Sequence, residues 1–508
     1  MHDLDSLTSW HSPWADLRVA VLGLGATGFS AADTLTELKA EVLVVADAAS
    51  DNREKMARVI GATLAIGGTA REQIAALTAH APEVVVVSPG YPPDHMLVEW
   101  CRSAGLPMWT EIELAWRLRD KTGTPAEWIV VTGTNGKTTT AQLTSHILTM
   151  AGFRAGAVGN IGIPVLDAIR YPGGFDFLVV ELSSFQLHAM PRHGPGAISP
   201  MASVCLNLAD DHLDWHGSQE AYARAKATVY ANTRVAAIYN RAVHATESMV
   251  EEAEVTEGCR AIGFGLDTPG PSDFGIVSDL LVERAFHGDR HNEAIELFTL
   301  DELRERHLAA PHMLANILAA SALTRSAGIT VDALRAGVAS FEVDAHRNQL
   351  VLESGGVSWL NDSKATNSHA ASASLSAVDP VIWIVGGLLK GVDVSPLVQQ
   401  HAKRLRAAIV IGTDRAQILS AFERHAPQIP VFEVDSTDTE HVMPRVVEIA
   451  SEIAREGDAV LLAPAAASMD QFQSYADRGE KFAIAVRERL GGSNDDTSDA
   501  PAAPPAAQ

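Results

Sequence analysis

The sequence predicts an α/β protein made of three successive domains, each a parallel sheet covered by helices. Three observations carry that expectation. Short β-branched runs such as "VLVVA" and "VVVV" alternate with stretches whose apolar residues recur at helical spacing. Two glycine-rich turns each leave such a run and enter a helical stretch, the arrangement that presents backbone N–H groups to phosphate. The alternation recurs in three sets along 508 residues, a length that accommodates roughly two to four domains.

The first set runs from "LRVAVLGLGATGFSAADTLTEL" through "EVLVVAD" and "EVVVVSPG", giving a domain over 1–122. The second opens with "EWIVVTGTNGKTTT" and continues through "FDFLVVELSS" and "ASVCLNL", over 123–344. Within it, 266–304 is polar and poorly periodic, which predicts loops and a small β excursion. The third holds "VIWIVGG", "AAIVIG" and "AVLLAPAAAS", over 345–490. Both ends look untethered, and the small, proline-rich tail 491–508 is expected to be disordered.

Composition excludes several function classes. A net charge of -24 is the wrong sign for a nucleic-acid or anionic-membrane partner. Small anionic substrates remain open, provided local lysines, helix ends and metal ions bind them. No apolar run approaches the roughly 18 residues of a membrane helix, and "MHDLDSLTSW" lacks the features of a secretory signal. Cys101, Cys205 and Cys259 show neither metal spacing nor a disulfide framework, so a cytoplasmic protein without membrane insertion is expected.

"GLGATG" places Gly23, Gly25 and Gly28 in dinucleotide-binding spacing, which predicts a Rossmann-like N-terminal domain. The helix after it carries Phe29, Ala32, Leu35 and Leu38 on one face. Asp47 follows Gly28 by 19 residues, where a ribose-binding acid is expected. The spacing indicates a nucleotide diphosphate; nicotinamide and other nucleotides, or a tight turn alone, stay open. In the second turn, Gly136, Lys137 and Thr138 match the end of a phosphate-binding loop, but Val131 stands at the usual first glycine. A lysine at a helix N-terminus is unfavourable unless an anion sits there, and Thr138 can offer its hydroxyl to Mg²⁺.

Glu181 ends the apolar strand of "FLVVELSSFQL", where ligands bind in open parallel sheets and a carboxylate beside phosphate suits Mg²⁺. As a bare feature it is equally a cap or a surface charge. In "NLADDHLDWHGSQEAYARAKATVY", Asp211, His212 and Asp214 precede a helix with Ser218 as its N-cap and Glu220 in its first turn. Lys226 shares a partly apolar face with Tyr222, Val229 and Tyr230; desolvation there lowers its proton affinity, and a neutral amine can take up CO₂ as a carbamate. Alone it reads as a snorkelling lysine.

Gly133, Thr134, Asn135, Gly136, Lys137 and Thr138 together resemble the compact ATP loop of the Mur ligases and their folylpolyglutamate synthetase relatives, which lacks the glycine at position 131. The resemblance extends along nearly the whole chain. It implies a P-loop ATPase-like central domain between two Rossmann-like ones, with ATP and Mg²⁺ as cofactors. Thr139 would join the ATP loop. Asn316 in "PHMLANILAA" and Arg347 in "DAHRNQ" would reach ATP, and Asn160 in "AVGNIG" would lie near substrate and metal. The D-H-x-D…K pattern implies that His212 binds a second magnesium and that Lys226 is carbamylated, with Thr138 and Glu181 completing the metal ligands. The first glycine loop then holds the diphosphate of a UDP-sugar: Gly25, Ala26 and Thr27 at the phosphates, Asp47 on the uridine side, and Ser88 and Gly90 lining the cleft.

"LNDSKATNSHAASASL" resembles the turn of the family member that adds D-glutamate to UDP-N-acetylmuramoyl-L-alanine. By that resemblance Asp362 and Lys364 serve ATP, Thr366 the amino-acid carboxylate, and Lys390, Ser468 and Tyr475 the D-glutamate pocket. Three positions depart from the family's pattern: Tyr475 where Phe is common, Met469 where Leu is common, and Ala48 after Asp47. The implied activity is ATP-dependent amide formation through an acyl phosphate, in cytoplasmic peptidoglycan precursor synthesis, by a monomer whose third domain closes on the second. A sibling ligase with another amino acid is the nearest alternative. A nicotinamide-dependent dehydrogenase leaves Lys137, Glu181 and Lys226 without use, and a nucleotide switch has none for "NDSKATN".

Overall fold

In the computed structural model the described residues are 2–306, 308–342, 349–389, 391–434 and 438–491. They form three sheets, in two compact units, Met1–Glu342 and Val343–Gln508. The expected tail beyond 491 lies outside the described residues, as do Arg347 and Lys390.

The first sheet contains β1 (Arg18–Leu22), β2 (Glu41–Ala46), β3 (Thr63–Ile66), β4 (Val84–Val87) and β5 (Met108–Thr110), in the order β3-β2-β1-β4-β5. All four pairings are parallel. Helices cover both faces, which is why the strands read as unbroken Val/Leu/Ala runs rather than alternating ones. The winding reverses between β1 and β4, and open α/β sheets bind ligands at the crevice so formed.

The N-terminal segment corrects the expectation of an untethered end. Leu7 and Trp14 are buried, with Trp14 edge-on to Trp109. The buried Arg117 guanidinium donates to the Leu4 and Leu7 carbonyls, each at 3.1 Å, and Glu113 holds that guanidinium at 2.8 Å. Isolated apolar residues spaced among polar ones carry no periodic signal, so this anchoring was not visible beforehand.

The second sheet runs β14-β13-β12-β11-β10-β9-β6-β8-β7. Its strands are β6 (Glu127–Thr132), β7 (Ala155–Gly159), β8 (Phe177–Glu181), β9 (Ala202–Cys205), β10 (Ala236–Asn240), β11 (Arg260–Phe264), β12 (Asp273–Val277), β13 (Leu280–Glu283) and β14 (Ile295–Thr299). Pairing is parallel as far as β12, then antiparallel through β13 and β14. The polar stretch expected to be an excursion thus extends the sheet itself at its edge.

The first two sheets share one apolar core in which Ile112 and Leu114 from the first meet Trp128, Leu166 and Val180 from the second. Polar contacts reinforce the seam: Arg170 pairs with Asp33 at 2.6 Å and Glu37 at 2.9 Å, and the Ser30 hydroxyl donates to Asp167 at 2.5 Å. Glu111 is buried there; one carboxylate oxygen accepts from the Leu166 N–H at 3.4 Å and the other has no hydrogen-bond partner. Burial pushes its carboxyl up to about 7.

The second unit holds β15 (Gln349–Ser354), β16 (Val357–Asn361), β17 (Val381–Gly386), β18 (Leu405–Ile411), β19 (Val431–Glu433) and β20 (Ala459–Leu462), in the order β15-β16-β20-β17-β18-β19. Among the described strands of this unit, only the β15–β16 pair is antiparallel. Consequently the carboxyl ends of β16, β20 and β17 lie side by side, and the turns following them share one rim. Among the described residues no helix is long and apolar enough to cross a membrane.

Candidate active site

The turn after β6 enters the helix Lys137–Met150, whose N-cap is Gly136 with no side-chain cap. Gly136 has φ +81°, and a Cβ there would stand 2.4 Å from Asn316 Oδ1. The backbone hand favours glycine, and any Cβ would have to displace the Asn316 side chain. The same contact brings Asn316, from the buried helix Pro311–Ser326, to the loop. Asn207, beyond β9, clamps the turn: its carbonyl accepts from Thr134 N at 3.1 Å, its Oδ1 from Asn135 N at 2.8 Å, and its amide donates to Asn135 O at 3.1 Å. Lys137 Nζ curls back onto the Gly133 and Thr134 carbonyls, each at 2.9 Å. Thr138 and Thr139 are buried in the first helical turn.

Lys226 meets this loop from the other side. It is 1% exposed, and its Nζ donates to the Gly133 carbonyl at 2.8 Å while lying 4.7 Å from the Tyr222 ring centre. The Tyr222 hydroxyl is 3.0 Å from Thr134 Oγ1, so helix Gln219–Ala227 is fastened to the loop at two points. Ser218 caps that helix as expected, accepting from Ala221 N at 3.2 Å. Burial, and then the neighbouring Lys137 charge, push the Lys226 ammonium down to about 7; Glu181 and Asp211 act on it in the opposite sense. Two lysines thus converge on the Gly133 carbonyl, with the buried Glu181 carboxylate acting on Lys226.

Glu181 ends β8 and is 1% exposed. Its Oε1 accepts from the Asn160 amide at 3.0 Å, whereas its buried Oε2 has no hydrogen-bond partner. Such an orphaned carboxylate oxygen is costly unless a cation joins it. His212 has φ +53° and packs edge-on to Phe185, ring centres 4.7 Å apart, on the short helix Ser184–His188 that follows Glu181. Among the described residues no group of three His, Cys, Asp or Glu side chains could hold a metal ion. Glu181 offers one uncompensated carboxylate oxygen of the kind a magnesium ion takes, and the Lys226 amine nearby would have to become a carbamate to add a second anionic ligand.

In the first sheet, Gly25 is the exposed N-cap of helix Ala26–Glu37 and offers no side-chain cap, leaving the N–H groups of Ala26 and Thr27 at a bare helix end. A Cβ on Gly28 would lie 2.1 Å from the Gly23 carbonyl, which makes this helix–strand approach possible only for glycine. Ser88 follows β4 across the switch point, and its buried hydroxyl has no hydrogen-bond partner. Gly90 is exposed beside it. Asp47, just after β2, is bonded by Gln73 at 3.3 Å and lies 3.4 Å from His95.

In the second unit, Asp362, Lys364 and Thr366 lie in the turn after β16, and Ser468 in the turn after β20. Arg478, fully buried, joins the two: it donates to Ser363 Oγ and O at 2.9 Å and to the Ala466 carbonyl at 3.2 Å. Burial pushes its guanidinium down to about 9, against the opposing charge of Asp470. Lys364 Nζ stands 4.9 Å from the Tyr475 ring centre, the Ser363 hydroxyl donates to the Tyr475 carbonyl at 2.8 Å, and the Ser374 hydroxyl bonds Asp362. Ser468 is 3% exposed.

Sequence reasoning passed over Asn207, Arg478 and the polar role of Tyr222. Arg478 had a usable signal, since it lies on the same helical face as Phe482 and Ala485 and so points to the core. Asn207 had none.

Comparison with known proteins agrees with this layout. A family model for the Mur ligase middle domain matches residues 131–324, and one for the Mur ligase glutamate ligase domain matches 346–466. The chain is 60% identical to the UDP-N-acetylmuramoylalanine–D-glutamate ligase of Leifsonia xyli, covering 98% of this chain and 97% of that one. It is 48% identical to the enzyme of the same name from Streptomyces avermitilis, covering 93% and 98%. In fold it is similar to the UDP-N-acetylmuramate–alanine ligase of Thermotoga maritima, with TM-score 0.55, 15% identity, and 93% and 99% coverage. The chain belongs to the Mur ligase family.

Proposed function

We propose that the protein is an ATP-dependent ligase that joins the L-alanyl carboxylate of UDP-N-acetylmuramoyl-L-alanine to the amine of D-glutamate, in cytoplasmic peptidoglycan precursor synthesis. The observation that carries this reading is the buried Lys226 beside Lys137 and the orphaned Glu181 oxygen. A dehydrogenase has no use for that cluster. The identity to D-glutamate ligases over nearly the full chain supports the choice of amino acid.

On this reading 1–122 binds the UDP-sugar, 123–344 binds ATP, and 345–490 binds the amino acid. The bare helix end at Gly25, Ala26 and Thr27 takes the diphosphate, with Ser88 and Gly90 lining the cleft and Asp47 on the uridine side. Gly133, Thr134, Asn135, Gly136, Thr138 and Thr139 cradle the ATP phosphates, Asn316, Asp362 and Lys364 contact the nucleotide, and Lys137 leaves its two carbonyl partners to neutralise phosphate charge. Thr366, Ser468 and Tyr475 hold D-glutamate; Arg347 and Lys390 are assigned to ATP and to D-glutamate on sequence alone. Thr138, Glu181, His212 and carbamylated Lys226 would hold magnesium, with Asn160 orienting Glu181. When bound, the metal neutralises charge on the transferring phosphoryl group.

The alanyl carboxylate attacks the γ-phosphorus, giving an acyl phosphate and ADP. The D-glutamate amine then attacks the acyl carbon, and phosphate leaves with the proton lost from nitrogen. Phosphoryl transfer needs alignment and charge neutralisation more than covalent help, and the loop supplies both through fixed N–H groups and Lys137. The test is phosphate release from ATP with UDP-N-acetylmuramoyl-L-alanine and Mg²⁺ while the amino acid is varied. Turnover should require D-glutamate; turnover with another amino acid and none with D-glutamate overturns the specificity, and NAD(P)H binding at "GLGATG" overturns the reaction class.

A further inference from the structure

Four groups of the proposed metal and phosphate site sit on separate chain segments: Glu181 at the end of β8, His212 in a tight turn, Lys226 on the following helix, and Thr134 in the phosphate loop. The turn bearing His212 is unusual. It is a single helical turn, Leu213–His216, between two left-handed residues, His212 at φ +53° and Gly217 at φ +78°. A non-glycine residue holds that conformation only where its surroundings fix it.

Asp211 accepts from the His212 N–H at 3.0 Å, and the ring side of the turn packs into an aromatic cluster centred on Phe185. His212, Trp215 and His216 all pack on that ring, with centres 4.7, 4.7 and 5.7 Å away; the His216 plane lies within 19° of it. His216 does more than stack. Its Nε2 is 2.9 Å from the buried Ser184 hydroxyl, three residues beyond Glu181. Its other edge meets Tyr222 at 5.3 Å, the same ring that faces Lys226 Nζ and whose hydroxyl reaches Thr134. One imidazole therefore touches the element after Glu181, the ring beneath His212, and the tyrosine that seats Lys226.

We propose that His216 is a positioning residue that, through Ser184, Phe185 and Tyr222, sets the His212 imidazole and the Lys226 side chain relative to Glu181 for metal binding. The inference rests on the reading of His212 as a metal ligand, and goes beyond it by assigning a role to a histidine that holds neither metal nor substrate. Groups that orient metal ligands typically affect affinity by 10–100-fold when removed.

The experiment titrates Mn²⁺ alone into the purified full chain and counts free ion by electron paramagnetic resonance, beside thermal unfolding and the D-glutamate KM. His216→Ala should weaken Mn²⁺ binding about tenfold, with the D-glutamate KM within about twofold of the parent. His216→Phe, which keeps the stack and loses the Ser184 bond, should fall between the two, and it decides the matter if the alanine variant is unstable. Parent-like Mn²⁺ affinity in a folded His216→Ala, or in His216→Phe where the alanine variant does not fold, overturns the proposal provided His212→Ala is impaired. If His212→Ala is also parent-like, the assignment of His212 as a ligand falls first and the proposal with it.

Discussion

Removing the Lys226 amine gives a sharp test of how the site works. The side chain is 1% exposed and its pKa stands near 7. At pH 8 about nine-tenths of it is therefore neutral, against roughly 0.3% of an ordinary lysine. Only the neutral amine attacks CO₂, losing a proton to give the anionic carbamate. In CO₂-depleted protein, the activity regained on adding bicarbonate should thus rise with pH and level off just above 7, rather than climb toward 10. Lys226→Ala deletes the anionic carbamate, and losing one preorganised electrostatic contact of this kind should lower kcat on the order of 10²–10³. Phosphate release with all three substrates measures it, and acetate or formate should restore part of the rate by filling the vacated position. Full activity of Lys226→Ala without added carboxylate would refute the reasoning, as would indifference of the parent to CO₂.

Glu181→Gln keeps the Asn160 contact but removes the charge, so the Mg²⁺ requirement should rise and kcat fall about 10²-fold; circular dichroism should stay unchanged. Gly136→Ala must strain a φ of +81° and displace Asn316, so ATP affinity measured calorimetrically should drop at least about tenfold, with about 1–2 kcal/mol lost from stability. Glu111 titrates with the opposite sign from a salt-bridged acid. Its folded pKa near 7 exceeds the ordinary 4.5, so the folded state keeps a proton that the unfolded state loses, and stability falls as pH rises from about 4.5 to 7. Glu111→Gln should unfold at a higher temperature than the parent at pH 8, by up to about 3 kcal/mol of stability, and show little difference near pH 4. Equal midpoints at both pH values would count against a strained carboxylate at the seam.

Strand–helix alternation made the three sheets legible, because parallel strands buried on both faces must be continuous apolar runs. It could not reveal that the first two sheets share a core. That depends on which faces meet, and residues such as Ile112 and Leu166 look alike whichever neighbour covers them. The phosphate loop was readable because Gly136 and Lys137 answer local demands of backbone hand and charge. Lys226 was only half legible: spacing placed it on a partly apolar face, but full burial depends on the Gly133 carbonyl and the Tyr222 ring, 93 and four positions away. Asn207 and His216 act through contacts between segments distant in sequence, and no local pattern marks them. Arg478 was legible in principle, since an arginine on the Phe482 face of a helix must find buried acceptors; here those are carbonyls of the two turns it joins.

The central step is transfer of the terminal phosphoryl group of ATP to the alanyl carboxylate. UDP-N-acetylmuramoyl-L-alanine labelled with ¹⁸O in that carboxylate, turned over with ATP and D-glutamate, puts this to the test by mass spectrometry of the released phosphate. One labelled oxygen should appear in each phosphate, carried over when the acyl phosphate collapses. Phosphate free of label would contradict the account.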